Sequence, residues 1–201
     1  MTLRNIHKSL ALGVIGVLAT SGVSSVAFAH LDLDSAGTHK SRYGRSEIKQ
    51  GPCGREGGEK GTNVYTYEPG QTIKIAVDEF VPHPGYFRVA FAKDSDDEFV
   101  TPRTVAPFNR ACMSDPADKC GASDFFNSPG VLADNLDPHK RGFPGKRYAW
   151  DVKLPDVECD SCTLQVMQVM TDIYPIHAPY DPSYASDDVY YQCIDIVLKK
   201  R

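Results

Sequence analysis

Four stretches of the chain alternate apolar and polar residues with a period of two, the pattern of a β-strand with one buried face. They are "QTIKIAVDEF" (71–80), "YFRVAFA" (86–92), "CTLQVMQVM" (162–170) and "YYQCIDIVL" (190–198). In the third stretch the even-numbered positions, Gln168 among them, fall on one face and the odd-numbered positions on the other. Glycine- and proline-rich stretches separate the runs, and no long segment has a helical period. The pattern predicts an all-β fold, an antiparallel β-sandwich.

Two long polar segments, residues 31–66 and 102–147, lie outside these predicted strands. Loops of this length inside a compact domain are usually functional or held by cross-links. The sequence contains neither an internal repeat nor a linker, so residues 30–201 are predicted to form one domain.

The start of the chain has the features of an export signal. Two basic residues, Arg4 and Lys8, are followed by a short apolar run and then by Ala27-Phe28-Ala29, a small-residue cleavage site. The predicted signal peptide is therefore residues 1–29, and the mature protein begins at His30. No second apolar stretch is long enough to span a bilayer, so the mature protein is predicted to be secreted or periplasmic, without a membrane anchor.

Charge and cysteine content narrow the class of protein. The chain has a formal charge of −4 at pH 7, which offers no basic surface to nucleic acid. An even number of cysteines in an exported chain predicts disulfides. The six cysteines are Cys53, Cys112, Cys120, Cys159, Cys162 and Cys193. The Cys159-Asp160-Ser161-Cys162 spacing also occurs in redox motifs and zinc sites, but the first needs a βαβ unit and the second four clustered ligands, so a structural disulfide is favoured.

A histidine at the mature N-terminus offers a metal ion two nitrogens at once, the α-amine and the ring. Their usual pKa values, about 8 and about 6.5, let both lose a proton near neutral pH. A second imidazole would complete a set of three nitrogens, and His83 in "FVPHPGYFRVAF" lies at the head of a strand beside prolines that fix the backbone. Nitrogen ligands in tetragonal geometry favour Cu(II). The pattern predicts a copper site that signal cleavage completes, although His83 taken alone is also compatible with an ordinary loop histidine.

Four features occur in one order along the chain. They are the signal that ends before His30, "GPCG" (51–54) followed by "YEPGQTIKI", "HPGYFRVAF" (83–91), and "VYYQCIDIVL" (189–198). Together they resemble the lytic polysaccharide monooxygenases, especially the bacterial chitin- and cellulose-active group and its divergent relatives. The resemblance covers nearly all of the mature chain and is patchy over residues 102–147.

The resemblance implies a fibronectin III- or immunoglobulin-like β-sandwich, in agreement with the strand pattern, and one copper ion held by His30 and His83 as a histidine brace. Tyr190 would occupy the axial position of the copper, with a core aromatic as the alternative. The third predicted strand would run behind the metal, which makes Gln168 a candidate for contacting the ligands. Arg88 is a second polar candidate, whose face the alternation leaves open.

The implied activity is oxidative cleavage of glycosidic bonds in chitin or cellulose by a monomer that takes electrons from an external donor. Tyr43 is the first candidate for a polysaccharide-binding aromatic, with Tyr65 and Tyr67 behind it. The first long segment is charged, however, and Val81 and Asp187-Asp188 depart from residues common in bacterial members. Two alternatives stay open: an exported copper-binding protein without catalysis, and a carbohydrate-binding module with a vestigial site.

The cysteines are expected to pair by their positions. Cys53 lies in the first long segment and Cys193 in the closing strand, and a bond between them would tie the segment that follows the N-terminus to the sheet. Cys112–Cys120 and Cys159–Cys162 are then the expected local pairs.

The mature protein is predicted to begin at His30. Intact-mass analysis of exported protein checks this directly, and the expected mass is that of residues 30–201 with oxidised cysteines. A mature form that starts at any other residue lacks the chelate of amine and ring and contradicts the copper prediction.

Overall fold

The computed structural model describes residues 31–55, 58–99, 130–140, 143–170 and 189–201. The predicted signal peptide, His30, Cys112 and Cys120 lie outside the described residues. The strands are β1 (Leu31–Asp32), β2 (Val64–Tyr67), β3 (Thr72–Glu79), β4 (Gly85–Ala92), β5 (Val131–His139), β6 (Lys146–Lys153), β7 (Cys159–Met170) and β8 (Val189–Leu198). Within the same ranges there is one short helix, α1 (Leu33–Ala36), and one 3₁₀ turn (Asp96–Glu98), and no helix is long and apolar enough to cross a membrane.

The described strands form two sheets. The smaller has the order β1-β3-β6 and is antiparallel, and the larger has the order β2-β8-β7-β4-β5. In the larger sheet β2 runs parallel to β8, whereas the other pairs are antiparallel. A parallel pair needs a long connection, which the chain between β2 and β8 provides. The predicted all-β sandwich is confirmed, and the parallel edge is its departure from a purely antiparallel arrangement.

All four predicted strands are present, as β3, β4, β7 and β8, but the sequence pattern missed others. β6 alternates as clearly as the predicted strands, with Tyr148 and Trp150 buried. β5 lies inside the segment 102–147, which the polarity pattern predicts as a loop. Asn135 and Asp137 in this strand have positive φ angles, and its register against β4 shifts. These irregularities break the period of two, so the pattern does not reveal the strand.

The inward positions of both sheets form the main core. Central members are Ile75, Val77, Phe87, Val89, Trp150, Leu164, Val166, Ile194 and Ile196. The predicted faces of β7 are confirmed, because its Leu164 and Val166 enter this core, whereas Met167 and Val169 pack with Tyr191 on the outer face of the larger sheet. Full burial of one large apolar side chain contributes about 1.5–3 kcal/mol. The buried apolar side chains along each strand therefore determine which residues at the strand ends face inward and which face outward.

Arg42 docks the first long segment on the outer face of the larger sheet. Its buried guanidinium donates to Asp195 Oδ1 at 2.5 Å, to Thr163 Oγ1 at 2.9 Å and to the carboxylate of Asp96. Burial by itself lowers the pKa of Arg42, but the hydrogen bonds and charges of Asp96 and Asp195 outweigh it and raise that pKa above its usual value. A buried cation without such partners would cost several kcal/mol, so the paired carboxylates fix where this segment lies.

Two disulfides join described cysteines, Cys53–Cys193 and Cys159–Cys162. The expected long-range pair is thus present, with its Cα atoms 5.0 Å apart, and it joins the segment that Arg42 docks to β8. The local pair lies at the start of β7, where the register against β8 shifts. All four cysteines are buried.

Removal of Cys53–Cys193 is expected to destabilise the protein more than removal of Cys159–Cys162. The paired residues are 140 and 3 positions apart respectively, and in the chain-entropy model the corresponding bonds contribute about 5 and about 2 kcal/mol. Urea unfolding of the two double alanine variants measures the difference, and the local pair is a matched control because its cysteines are also buried. Equal losses of stability in the two variants would contradict this expectation.

Candidate functional site

One end of the sandwich brings together the ends of both sheets. β1 begins there, because Leu31 pairs with Glu79, the last residue of β3. In the larger sheet, Gly85 at the start of β4 pairs with the last residue of β7. His83 lies in the short connection between β3 and β4, at the same end. The residue before Leu31 is His30. The two predicted copper ligands therefore flank, along the chain, strands that meet at this end.

The backbone around His83 is closely constrained. Pro82 and Pro84 on either side restrict its conformations. β4 begins directly afterwards at Gly85, where a Cβ atom would lie 2.1 Å from the carbonyl oxygen of Val169. Such an approach is open only to glycine. The prolines and the glycine together fix how the histidine segment leaves β3 and enters β4.

The carboxylate of Glu79 is the hydrogen-bond centre of this end. Its Oε1 accepts from Gln168 Nε2 at 2.7 Å and from the backbone N–H of His83 at 3.1 Å. Its Oε2 accepts from the Tyr148 hydroxyl at 3.1 Å, and His139 Nε2 lies 3.5 Å from Oε1. Burial, and then the Glu79 carboxylate, raises the pKa of Tyr148 above its usual value, so the hydroxyl keeps its proton and donates. Three strands and the histidine segment meet at one side chain.

Gln168 carries an unused acceptor at the same end. Its side chain is fully buried, and its amide nitrogen donates to Glu79. Among the described residues, none donates a hydrogen bond to Gln168 Oε1. A buried carbonyl oxygen without a donor costs about 1–3 kcal/mol. A hydrogen-bond donor placed at Gln168 Oε1 would remove this cost.

Tyr190 lies beside Gln168 in the larger sheet, as its Cα partner in β8. Its side chain is 3% exposed and belongs to the same core cluster as Leu31. The structure thus brings His83, Gln168 and Tyr190 to one end of the sandwich, with the Tyr190 ring packed in the core.

The family model of lytic polysaccharide mono-oxygenases, described as cellulose-degrading, matches residues 21–196, which is most of the chain. The chain belongs to this family. Among solved structures it is similar to a lytic polysaccharide monooxygenase AA15 from Thermobia domestica in the Cu(I) state. The sequence identity is 22%, the comparison covers 74% of this chain and 75% of that chain, and the TM-score is 0.40. No curated protein sequence matches the chain.

Lytic polysaccharide monooxygenases are copper-dependent, and imidazole nitrogen is a donor type that suits copper. His83 supplies an imidazole, and the described cysteines are all in disulfides, so they supply no thiolate. The buried Gln168 Oε1 is suited to accept an N–H from a coordinating ring or amine, as residues behind metal ligands commonly do. Within the described ranges no group of three or more His, Cys, Asp or Glu side chains is arranged to hold a metal, and His30 lies outside those ranges.

Arg88 does not join this end of the sandwich. Its neighbours Phe87 and Val89 point into the core, so Arg88 faces the outer side of the larger sheet, in register with Met167. There its guanidinium pairs with Asp134 through contacts of 2.6 and 2.9 Å. The sequence pattern did not decide which face of its strand Arg88 occupies, and the structure places it on the outer face, away from Gln168.

Tyr43 also lies on the outer face of the larger sheet, not with His83. Its hydroxyl donates to the carbonyl oxygen of Glu59 at 2.7 Å, and its ring packs against the cluster that contains Cys53 and Cys193. The Arg55 guanidinium lies 5.7 Å from the ring centre. The ring lines an open cleft of about 420 Å³. The hydroxyl and one side of the ring are thus held by the fold, and the rest of the ring borders the cleft.

The hydroxyls of Tyr65 and Tyr67 likewise make hydrogen bonds within the fold. The Tyr65 hydroxyl accepts from the backbone N–H of Lys40 at 2.7 Å, and the Tyr67 hydroxyl lies 2.7 Å from His39 Nε2. Burial lowers the pKa of His39 to about 4, so its ring is neutral near pH 7 and shares an uncharged hydrogen bond with the Tyr67 hydroxyl. Both tyrosines thus hold the chain at His39 and Lys40 against β2.

Sequence reasoning missed Glu79, Tyr148 and His139 at the candidate site. A signal existed for Glu79, because Ile73, Ile75 and Val77 alternate inward along β3 and position 79 is the next inward one. Tyr148 follows in the same way from the alternation of β6. His139 carries no such signal, because the irregular β5 hides its own period.

Proposed function

We propose that the mature protein, residues 30–201, is an exported, copper-dependent polysaccharide monooxygenase. The α-amine and ring of His30 and the ring of His83 hold one copper ion as a histidine brace. With electrons from an external donor, the protein cleaves glycosidic bonds of chitin or cellulose oxidatively. Cleavage of the export signal after Ala29 supplies the amine ligand.

The observation that carries this proposal is the common location of His83 and of the chain entry at Leu31. Leu31 pairs with Glu79, and the Glu79 carboxylate accepts from the backbone of His83. His30 directly precedes Leu31 in the sequence, and consecutive Cα atoms are about 3.8 Å apart, which supports a site that includes both histidines. Membership of the lytic polysaccharide monooxygenase family supports copper as the metal.

The protein groups at this end have separate roles. Bound copper supplies the one-electron chemistry that activates oxygen or peroxide. With copper bound, Gln168 Oε1 would accept an N–H from one of the ligands and orient it. The ring of Tyr190, which packs in the core with Leu31, would keep water away from the core side of the site.

A copper-binding protein without polysaccharide oxidation is the second candidate. The observation that favours it is the state of the aromatic side chains in the first long segment and β2. Tyr43, Tyr65 and Tyr67 all make hydrogen bonds within the fold. The described part of this segment therefore presents none of the three as a bare platform for a crystalline polysaccharide.

Two variants separate a brace from two ordinary histidines. One carries an extra alanine before His30, which moves the free amine away from the ring, and the other is His83→Ala. Each should weaken Cu(II) binding by more than about 100-fold in calorimetry, because even residues that only orient ligands are worth about 10–100-fold. Each should also change the electron paramagnetic resonance spectrum of the Cu(II) form.

The matched control is His39→Gln, since His39 lies beside Tyr67 rather than at the candidate site. This control should bind Cu(II) as the wild type does. If the alanine-extended form has the Cu(II) affinity and the resonance spectrum of the wild type, the histidine brace is contradicted. Mass spectrometry of oxidised oligosaccharides released from chitin and cellulose then decides between the two candidates, and tight Cu(II) binding without such products favours the second.

A further inference from the structure

A fully buried carboxylate without an assigned role lies four residues before His83. Glu79 ends β3 and faces inward, in line with Ile75 and Val77. None of its surface is exposed. Burial of an ionised carboxylate is strongly unfavourable unless donors compensate it. The fold therefore keeps Glu79 at this position by supplying donors around it.

Those donors come from parts of the chain that are far apart in sequence. Gln168 on β7 donates at 2.7 Å, Tyr148 on β6 at 3.1 Å, and the backbone N–H of His83 at 3.1 Å. His139 at the end of β5 lies 3.5 Å away. Gln168 and His139 belong to the larger sheet, whereas Tyr148 belongs to the smaller one. One carboxylate therefore sets the spacing of the two sheets at the end where His83 lies.

The main chain of Glu79 makes the second connection. In the smaller sheet, Glu79 lies on the central strand and pairs with Leu31 on one side and with Lys146 on the other. The backbone of Glu79 thus holds the strand that follows His30, while its side chain holds the backbone of His83.

We infer that Glu79 is a positioning residue of the copper site, which fixes the His83 segment relative to the entry of the chain at Leu31. The inference rests on the proposed function, because it concerns the spacing of the two ligand-bearing residues. Glu79 is not itself a ligand in this arrangement, since both of its carboxylate oxygens already accept from protein donors.

The role depends on hydrogen bonds and not on the charge. Glutamine at position 79 can accept from Gln168 and His83 through its carbonyl oxygen and donate through its amide nitrogen to the Tyr148 hydroxyl. Leucine fills a similar volume but accepts nothing, so the His83 amide and the Gln168 amide both lose their partner. Glutamine should therefore preserve the site and leucine should disturb it.

The test compares Glu79→Leu, Glu79→Gln and Asp78→Leu in the mature protein. Asp78 is the matched control, because it is the neighbouring buried carboxylate of β3, pairs with Arg147 at 2.7 Å and points to the other face. Glu79→Leu should weaken Cu(II) binding about 10–100-fold, the range for residues that orient ligands, and alter the Cu(II) resonance spectrum. Glu79→Gln should stay within a few-fold of the wild type, and Asp78→Leu should keep its affinity and spectrum.

Wild-type Cu(II) affinity and spectrum in Glu79→Leu would overturn the inference. So would an equal loss in Asp78→Leu, which would indicate general destabilisation, or a loss in Glu79→Gln as large as that in Glu79→Leu. If the wild type binds no Cu(II), or if its Cu(II) affinity equals that of the His83→Ala variant, the proposed function fails and the inference fails with it. Failure of the inference alone requires a wild type whose binding depends on His83.

A milder variant covers the case in which Glu79→Leu does not fold. Tyr148→Phe removes one donor from Glu79 and leaves the aromatic ring in the core. Hydrogen exchange of the His83 amide in the metal-free protein should then become faster than in the wild type, with a shifted Cu(II) spectrum in the loaded form. Unchanged exchange and an unchanged spectrum would overturn the inference.

Discussion

The buried carboxylate of Glu79 is the constraint on which the candidate site depends. A carboxylate removed from water must be met by donors, and here the donors are one residue of β7, one of β6 and the backbone of His83. Glu79 is also the strand partner of Leu31. Its backbone therefore holds the Leu31 strand while its side chain holds the backbone of His83, and this arrangement does not require a bound metal.

The outer face of the larger sheet, which points away from the core and from Glu79, is covered by chain that other interactions hold in place. The buried Arg42 with its two aspartates and the Cys53–Cys193 disulfide hold the first long segment there. Tyr43 is part of that assembly. The part of the segment that contains Arg42, Tyr43 and Cys53 is therefore held on the outer face, whereas Glu79 and Gln168 face inward. This separation explains why Tyr43 does not lie with His83.

The fold was largely predictable from the sequence because the apolar residues of β3, β4, β7 and β8 follow a strict period of two. The same regularity assigns Gln168 to the inward face of β7. It fails for β5, where the positive φ angles of Asn135 and Asp137 break the alternation. A charged residue at an inward position, such as Glu79, is read from sequence as the end of a strand. Its importance appears only when the distant donors are seen around it.

The candidate site was predictable in part. His83 and Tyr190 carry recognisable motifs, and their common location follows from the register of the strands that bear them. The direction of Arg88 could not be predicted, because residues on either face of a doubly buried strand are equally shielded and only the packing of Phe87 and Val89 decides the phase.

The most direct measurement is an anomalous difference map at the copper absorption edge from crystals of the mature, copper-loaded protein. The predicted result is a single strong peak at the end of the sandwich where Gln168 and Tyr190 lie. The peak should be within bonding distance of the amine and ring nitrogens of His30 and of a ring nitrogen of His83. A copper peak at any other place, or one at this end that His30 does not ligate, would contradict the histidine brace.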